Sequence, residues 1–205
     1  MKKRLNVLIV LDRSGSMRGS EVVTVSAINE YLQSLRCHED CAAYVTLKTF
    51  DSESIDTLFH SAPAAQARFC ETQFVPRAMT PLLDAVGDGI ETLDEAIADG
   101  ELAALIVMTD GLENCSSKFG KPRIEKLLRE RQEKRGWMVL FLGADIDAWA
   151  GARDLGISAD RTLSYSKSRS AEMSAALQCV TARYVEHEEP SAAIFDDEVR
   201  QRVRR

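Results

Sequence analysis

Apolar positions along this chain fall into two patterns. Unbroken apolar runs, Val7-Leu8-Ile9-Val10-Leu11, Leu105-Ile106-Val107-Met108 and Trp137 to Leu142, are short and bounded by polar or glycine residues. Such runs predict strands covered on both faces. Between them, Val22, Val25, Ile28, Leu32 and Leu35 recur at three and four residues, which marks one face of a helix. Ile124, Leu127 and Leu128 mark another helix in the same way.

The remaining segments extend this alternation. Tyr44 to Phe50 alternates like a less buried strand, and Asp51-Ser52-Glu53-Ser54 predicts a tight turn into an edge strand near Ile55 to His60. The stretch from Ala62 to Arg77 carries no clear period and is expected to be loop. Thr80 at an N-cap and Pro81 at the first helical position predict a helix running to about Ile97, followed by a strand from Leu102 to Thr109. A short helix over Ala148 to Leu155, a strand near Thr162 to Tyr165 and a helix from about Ser170 to Tyr184 complete the series. Strands alternating with helices predict an α/β fold: a Rossmann-like, doubly wound, mainly parallel sheet with helices on both faces. The hairpin at Asp51 adds one antiparallel edge strand.

Candidate chemistry sits at the strand ends. Asp12-Arg13-Ser14-Gly15-Ser16-Met17 leaves the first strand with a carboxylate and two hydroxyls spaced two residues apart. In an extended segment such residues point the same way, so Asp12, Ser14 and Ser16 can converge. Their hard oxygens suit Mg²⁺, Mn²⁺ or Ca²⁺. A Ser/Gly turn with a capping aspartate is the plainer alternative. Thr80 and Asp110, which closes the Leu105 to Thr109 run, supply two further oxygens. In a doubly wound sheet Asp12 and Asp110 both land beyond the carboxyl edge, where ligands bind.

The D-x-S-x-S turn, the isolated Thr at a helix start and the Asp ending a later strand resemble the metal-ion-dependent adhesion site of von Willebrand factor A domains. Asp12, Ser14 and Ser16 match its first segment, Thr80 its second and Asp110 its third. The Ser-Gly-Ser-Met and Thr-Asp-Gly-Leu-Glu-Asn wording is most similar to the intracellular bacterial or phage branch. The resemblance spans about Leu5 to Tyr184. Relatives often carry glycine immediately before the Thr, where this chain has Met79. The resemblance implies a divalent cation, Mg²⁺ foremost, held by these five residues. It also implies a protein partner that contributes an Asp or Glu carboxylate to the cation. Bacterial and phage relatives work as adaptors or scaffolds beside ATPases, kinases or stress-response components, so a similar non-enzymatic role is the expectation here. Asp51, Glu113, Asn114, Asp145 and Asp147 are candidates for the rim around the site, with ordinary turn chemistry as the competing account.

Bulk composition narrows the alternatives. The chain has 205 residues, 45% hydrophobic and 28% charged, as expected of one globular domain. No apolar run approaches the roughly 20 residues that span a bilayer. The Met1-Lys2-Lys3-Arg4 start lacks a cleavage site after its short apolar run, so no export signal is expected and a cytoplasmic location follows. Five cysteines suit reduced thiols better than a disulfide framework. A net charge of −6 argues against a general nucleic-acid binder, and the Lys118 to Arg135 cluster has interleaved acids, as a solvated helix face does. Trp149 and Tyr165 are expected to pack rather than to stack on bases.

The main rival is a Mg²⁺-dependent phosphohydrolase or phosphotransferase with Asp12 as nucleophile. Such chemistry needs a free carboxylate and a cationic group for the phosphoryl oxygens. The dehalogenase-type pattern wants a second Asp where this chain has Ser14, and no lysine is evident at a suitable strand end. A serine hydrolase is weaker still without Gly-x-Ser-x-Gly. Cys37, His38 and Cys41 could suggest zinc, but no second Cys/His pair accompanies them. The domain is expected to cover residues 1–186. In residues 187–205, Phe195, Val199 and Val203 recur every four positions, with acids early and arginines late. That order fits a terminal helix or a partner-binding segment, with a frayed tail as the alternative.

Overall fold

A computed structural model describes residues 2–36, 41–145 and 148–204. Six strands form one sheet in the order β3-β2-β1-β4-β5-β6. They are β1 (Lys3–Asp12), β2 (Cys41–Phe50), β3 (Ile55–Pro63), β4 (Leu102–Thr109), β5 (Met138–Ala144) and β6 (Thr162–Tyr165). All pairings are parallel except β2 with β3, the hairpin at one edge. The helices are α1 (Glu21–Leu35), α2 (Leu82–Ala96), α3 (Lys121–Arg135), α4 (Ala148–Asp154), α5 (Ser170–His187) and α6 (Asp197–Arg204).

The central strand shows why apolar runs were unbroken. Leu5, Val7, Ile9 and Leu11 of β1 pack into a core shared with α1, α5 and α6, while Leu8 and Val10 enter a second core under α2, α3 and α4. Both faces are covered, so from Val7 to Leu11 neither face of β1 carries a polar residue. β2 is more buried than its alternation suggested: every residue from Val45 to Phe50 is buried, because the strand is paired on both sides and covered. Its Lys48 is compensated by a 2.5 Å ion pair with Asp88. Val22 departs from the predicted helix face. It is 61% exposed, since the buried stripe of α1 runs through Thr24, Val25, Ala27, Ile28, Tyr31, Leu32 and Leu35.

β3 runs on through Ala62 and Pro63, which pair with Val45 and Tyr44, and the expected loop begins only at Ala64, with one 3₁₀ turn at Glu71–Gln73. Beyond α5, Ala193, Phe195 and Val203 are buried in the core that α1 and α5 share. Trp149 differs from expectation: it is 41% exposed, with the Arg200 guanidinium over its ring, whereas Tyr165 is buried. Among the described residues, Cys41, Cys70, Cys115 and Cys179 are free thiols, and no helix is long and apolar enough to cross a membrane. Most of the Cys37-His38-Glu39-Asp40-Cys41 segment lies outside the described residues.

Candidate metal centre

β1 is flanked by β2 on one side and β4 on the other, so the strand order reverses about it. The carboxyl ends of β1 and β4 open the crevice such a reversal creates. Their register places Leu11 opposite Met108, and the next residues, Asp12 and Thr109, meet side by side. The Thr109 hydroxyl donates to Asp12 Oδ2 at 2.6 Å, and the Ser14 backbone N–H donates to Asp12 Oδ1 at 2.6 Å. Asp12 is fully buried. Burial pushes its carboxyl up to about 6, against the hydrogen bonds from Thr109 and Ser14, which favour the charged form.

The other four candidate residues surround it. The Ser14 and Ser16 hydroxyl oxygens lie 3.0 Å apart, and the Ser16 hydroxyl donates to Asp110 Oδ1 at 2.5 Å. Thr80 is brought in from the α2 side: a Cβ built on Gly111 would lie 3.0 Å from Thr80 Oγ1 and 3.6 Å from Asp12 Oδ2. One point therefore neighbours both oxygens, and only the missing side chain of Gly111 keeps it clear. The Thr80 hydroxyl has no hydrogen-bond partner among the described residues. Asp12, Ser14, Ser16, Thr80 and Asp110, from three separate segments, are thus gathered at one end of the sheet.

Elaborate anchoring holds these loops. The Arg13 N–H donates to the Phe50 carbonyl, and its guanidinium bonds Asp51 and Asp56, each at 2.6 Å, and Ser54. Arg77 closes on the same Asp51 oxygen at 3.0 Å. Burial raises the Asp51 pKa, but the bonds from Arg77 and Arg13 and from the Glu53 and Ser54 amides outweigh it and hold the carboxyl below its ordinary value. Gly15 N–H donates to the Ala78 carbonyl, and Ser52 N–H to the Met79 carbonyl. The left-handed residue preceding Thr80 is Ala78, at φ +58°, and not Met79. Met79 needs no glycine-like freedom.

The start of α2 corrects one expectation. The helix begins at Leu82 with Pro81 as its cap, and Thr80 caps nothing. The orphan first-turn N–H groups are taken from another loop: Glu113 Oε2 accepts from Leu83 N–H at 2.8 Å and the Ser116 hydroxyl from Asp84 N–H at 3.0 Å. Asp84 in return accepts three backbone N–H bonds, from Ser117, Lys118 and Phe119. Asn114 Oδ1 accepts from Thr80 N–H, and Asn114 N–H donates to the Thr80 carbonyl. Of the proposed rim, Asp51, Glu113 and Asn114 therefore serve as scaffold. Relief from capping leaves the Thr80 hydroxyl free for the site.

Two participants were not foreseen. Thr109 orients Asp12, but a threonine closing an apolar strand looks like ordinary strand composition. Lys167, two residues past β6, answers the apparent lack of a lysine at a strand end. Its ammonium bonds Asp110 Oδ2 at 2.6 Å and the Ser16 carbonyl at 3.1 Å. The strand-end rule that singled out Asp12 and Asp110 would have found it if applied to Thr162–Tyr165. Asp145 Oδ1 accepts from the Lys167 N–H at 3.2 Å; Asp147 lies outside the described residues.

A divalent cation fits this donor set. Ser14, Ser16 and Thr80 supply neutral hard oxygens and Asp12 and Asp110 supply carboxylates, the chemistry hard cations prefer. Among the described residues no group of three or more His, Cys, Asp or Glu lies together as a metal cluster.

A six-stranded sheet with one antiparallel edge and these loops at its carboxyl end has the fold of von Willebrand factor A domains. Solved structures similar to it include proximal thread matrix protein 1 from the mussel byssus with a zinc-occupied MIDAS motif, at 14% identity and TM-score 0.67, covering 88% of this chain and 46% of that one. A von Willebrand factor type A protein from Catenulispora acidiphila matches at 14% identity and TM-score 0.65, over 90% and 43%. The manganese-loaded TRAP protein of Plasmodium vivax matches at 16% identity and TM-score 0.59, over 82% and 71%. The chain spans less than half the length of the first two. No protein-family model matches the sequence, and no curated protein does.

Proposed function

We propose that this domain is a metal-dependent protein-interaction module, an adaptor or scaffold rather than an enzyme. The observation that carries this reading is the state of Asp12. Both its oxygens are engaged by the scaffold, and it has no exposed surface. A phosphoryl-transfer nucleophile needs a free carboxylate oxygen, and Lys167 touches Asp110 and Ser16 rather than Asp12. The arrangement suits holding a cation, not attacking phosphorus.

Ser14, Ser16 and Thr80 would hold Mg²⁺, or Mn²⁺ or Ca²⁺, with Asp12 and Asp110 as direct ligands or as acceptors for its waters. When bound, the cation supplies a strong Lewis-acidic attachment point for an incoming carboxylate. Neutral hydroxyl donors leave much of its charge unquenched, which favours an Asp or Glu of a partner over a neutral group. Met79 and Leu112 support a protein as that partner. They are neighbours in sequence of Thr80 and Gly111 and are 53% and 51% exposed. An apolar rim of this kind adds contact area that a free inorganic anion would not use. Four unbonded thiols support a reducing, cytoplasmic setting, and the sequence resemblance supports a bacterial or phage adaptor beside an ATPase, kinase or stress-system component.

Affinity capture with Mg²⁺ or with chelator, using wild type and Ser14→Ala/Ser16→Ala, tests the reading. The expected result is a protein partner retained only by wild type with Mg²⁺, and lost when its contacting acidic residue is replaced. Asp12-dependent phosphatase turnover, or capture indifferent to chelator, would overturn it.

A further inference from the structure

Among the described residues, Lys167 is the one cationic side chain hydrogen-bonded to two of the candidate metal-holding residues. Its ammonium grips the Asp110 carboxylate and the Ser16 carbonyl together, while Ser16 Oγ donates to the other Asp110 oxygen. The position is built. The Lys167 N–H donates to Asp145 Oδ1, its carbonyl accepts from the Ser170 hydroxyl at 2.7 Å, and Asp145 N–H donates to the Tyr165 carbonyl at 2.8 Å. Ser166, beside it, donates its N–H to the Val203 carbonyl at 3.3 Å. From the edge strand β6 the side chain reaches past β5 to the end of β4, and at 27% exposure it is partly shielded from solvent.

This contact changes the charge of the site. Asp12 and Asp110 formally balance the two charges of a divalent cation, even where the atoms nearest to it are the neutral hydroxyls of Ser14, Ser16 and Thr80. With the Lys167 ammonium included, the loaded site carries one net positive charge, and the empty site carries one negative charge instead of two. We propose that Lys167 is a specificity-determining residue that weakens binding of the cation alone and strengthens its binding together with an anionic ligand. The inference rests on the metal-centre reading above. Like-charge repulsion at a partly shielded site opposes the dication, and the same charge attracts the carboxylate that follows it. The domain then responds to metal and acidic partner jointly and only feebly to metal.

The test is Mn²⁺ binding by electron paramagnetic resonance of the free ion, without and with glutarate as a carboxylate probe. Wild type, Lys167→Met and Lys167→Arg are compared, with circular dichroism to verify folding. Lys167→Met keeps most of the aliphatic stem and removes the charge. It is expected to bind Mn²⁺ alone about tenfold more tightly than wild type. It should also lose the enhancement that glutarate gives wild type, whereas Lys167→Arg retains it. A lysine that merely latched two loops together would alter Mn²⁺ affinity but leave the glutarate enhancement intact, and that result would overturn the proposal. So would unchanged Mn²⁺ affinity in folded Lys167→Met. Absence of Mn²⁺ binding by every protein, wild type included, would overturn the metal-centre reading and this inference with it.

Discussion

Thr80→Val separates the metal function of one side chain from its structural role. Valine retains the branched shape and removes only the hydroxyl oxygen. Replacing a buried threonine in this way is costly where the hydroxyl is bonded, but the Thr80 hydroxyl has no partner among the described residues, and the α2 cap is Pro81. The backbone bonds between Thr80 and Asn114 are unaffected by the change. Stability should therefore move by less than about 1 kcal/mol. Cation binding should suffer far more, because a methyl group would replace one of five candidate oxygens. Even outer residues that only orient ligands cost ~10–100-fold in metal affinity, so a loss of at least that size is expected. Calorimetric titration with Mn²⁺, run beside thermal melts, measures both quantities. A variant that melts like wild type and binds Mn²⁺ within about threefold would refute the assignment of Thr80, since a real ligand is worth at least tenfold.

Gly111→Ala should also keep the fold and lose cation affinity in the same titration, because its new Cβ would sit 3.0 Å from Thr80 Oγ1 and 3.6 Å from Asp12 Oδ2; undiminished affinity would mean that this space is not the site. Glu113→Gln should lower stability by about 1–2 kcal/mol in urea unfolding, since a carboxylate that accepts from Leu83, Cys115 and Ser116 N–H groups becomes a weaker acceptor; an unchanged midpoint would contradict its capping role. In chelator-treated protein, the Asp12 pKa raised to about 6 makes its contribution to stability greatest below the unfolded value near 3.8 and lost as pH rises through about 6. Unfolding at pH 5 and pH 7.5 should show wild type losing about 1 kcal/mol more than Asp12→Asn over that interval, and equal losses would contradict the burial argument.

The sheet was legible because its strands are buried on both faces, which leaves unmistakable apolar runs, and strand-end geometry then carries Asp12 and Asp110 to one edge. What was hidden depends on contacts between distant segments. Thr80 looked like a cap because a Thr-Pro pair often is one, but the capping groups arrive from Glu113 and Ser116, some thirty residues later. Glu113 and Asn114 looked like rim residues for the same reason: a loop sequence does not say whether its polar groups face outward or tie down a neighbour. Val22 shares its spacing with Val25 yet falls outside the buried stripe. Lys167 lies 57 residues from Asp110, and no local pattern joins them.

The central claim is that Ser14, Ser16 and Thr80 hold one divalent cation beside Asp12 and Asp110. Anomalous diffraction from crystals grown with Mn²⁺ tests it most directly. A single strong peak is expected within about 2.3 Å of all three hydroxyl oxygens, with the two aspartates bonded directly or through water. No peak among these residues in Mn²⁺-saturated crystals, or a peak bound only by carboxylates elsewhere on the surface, would contradict the account.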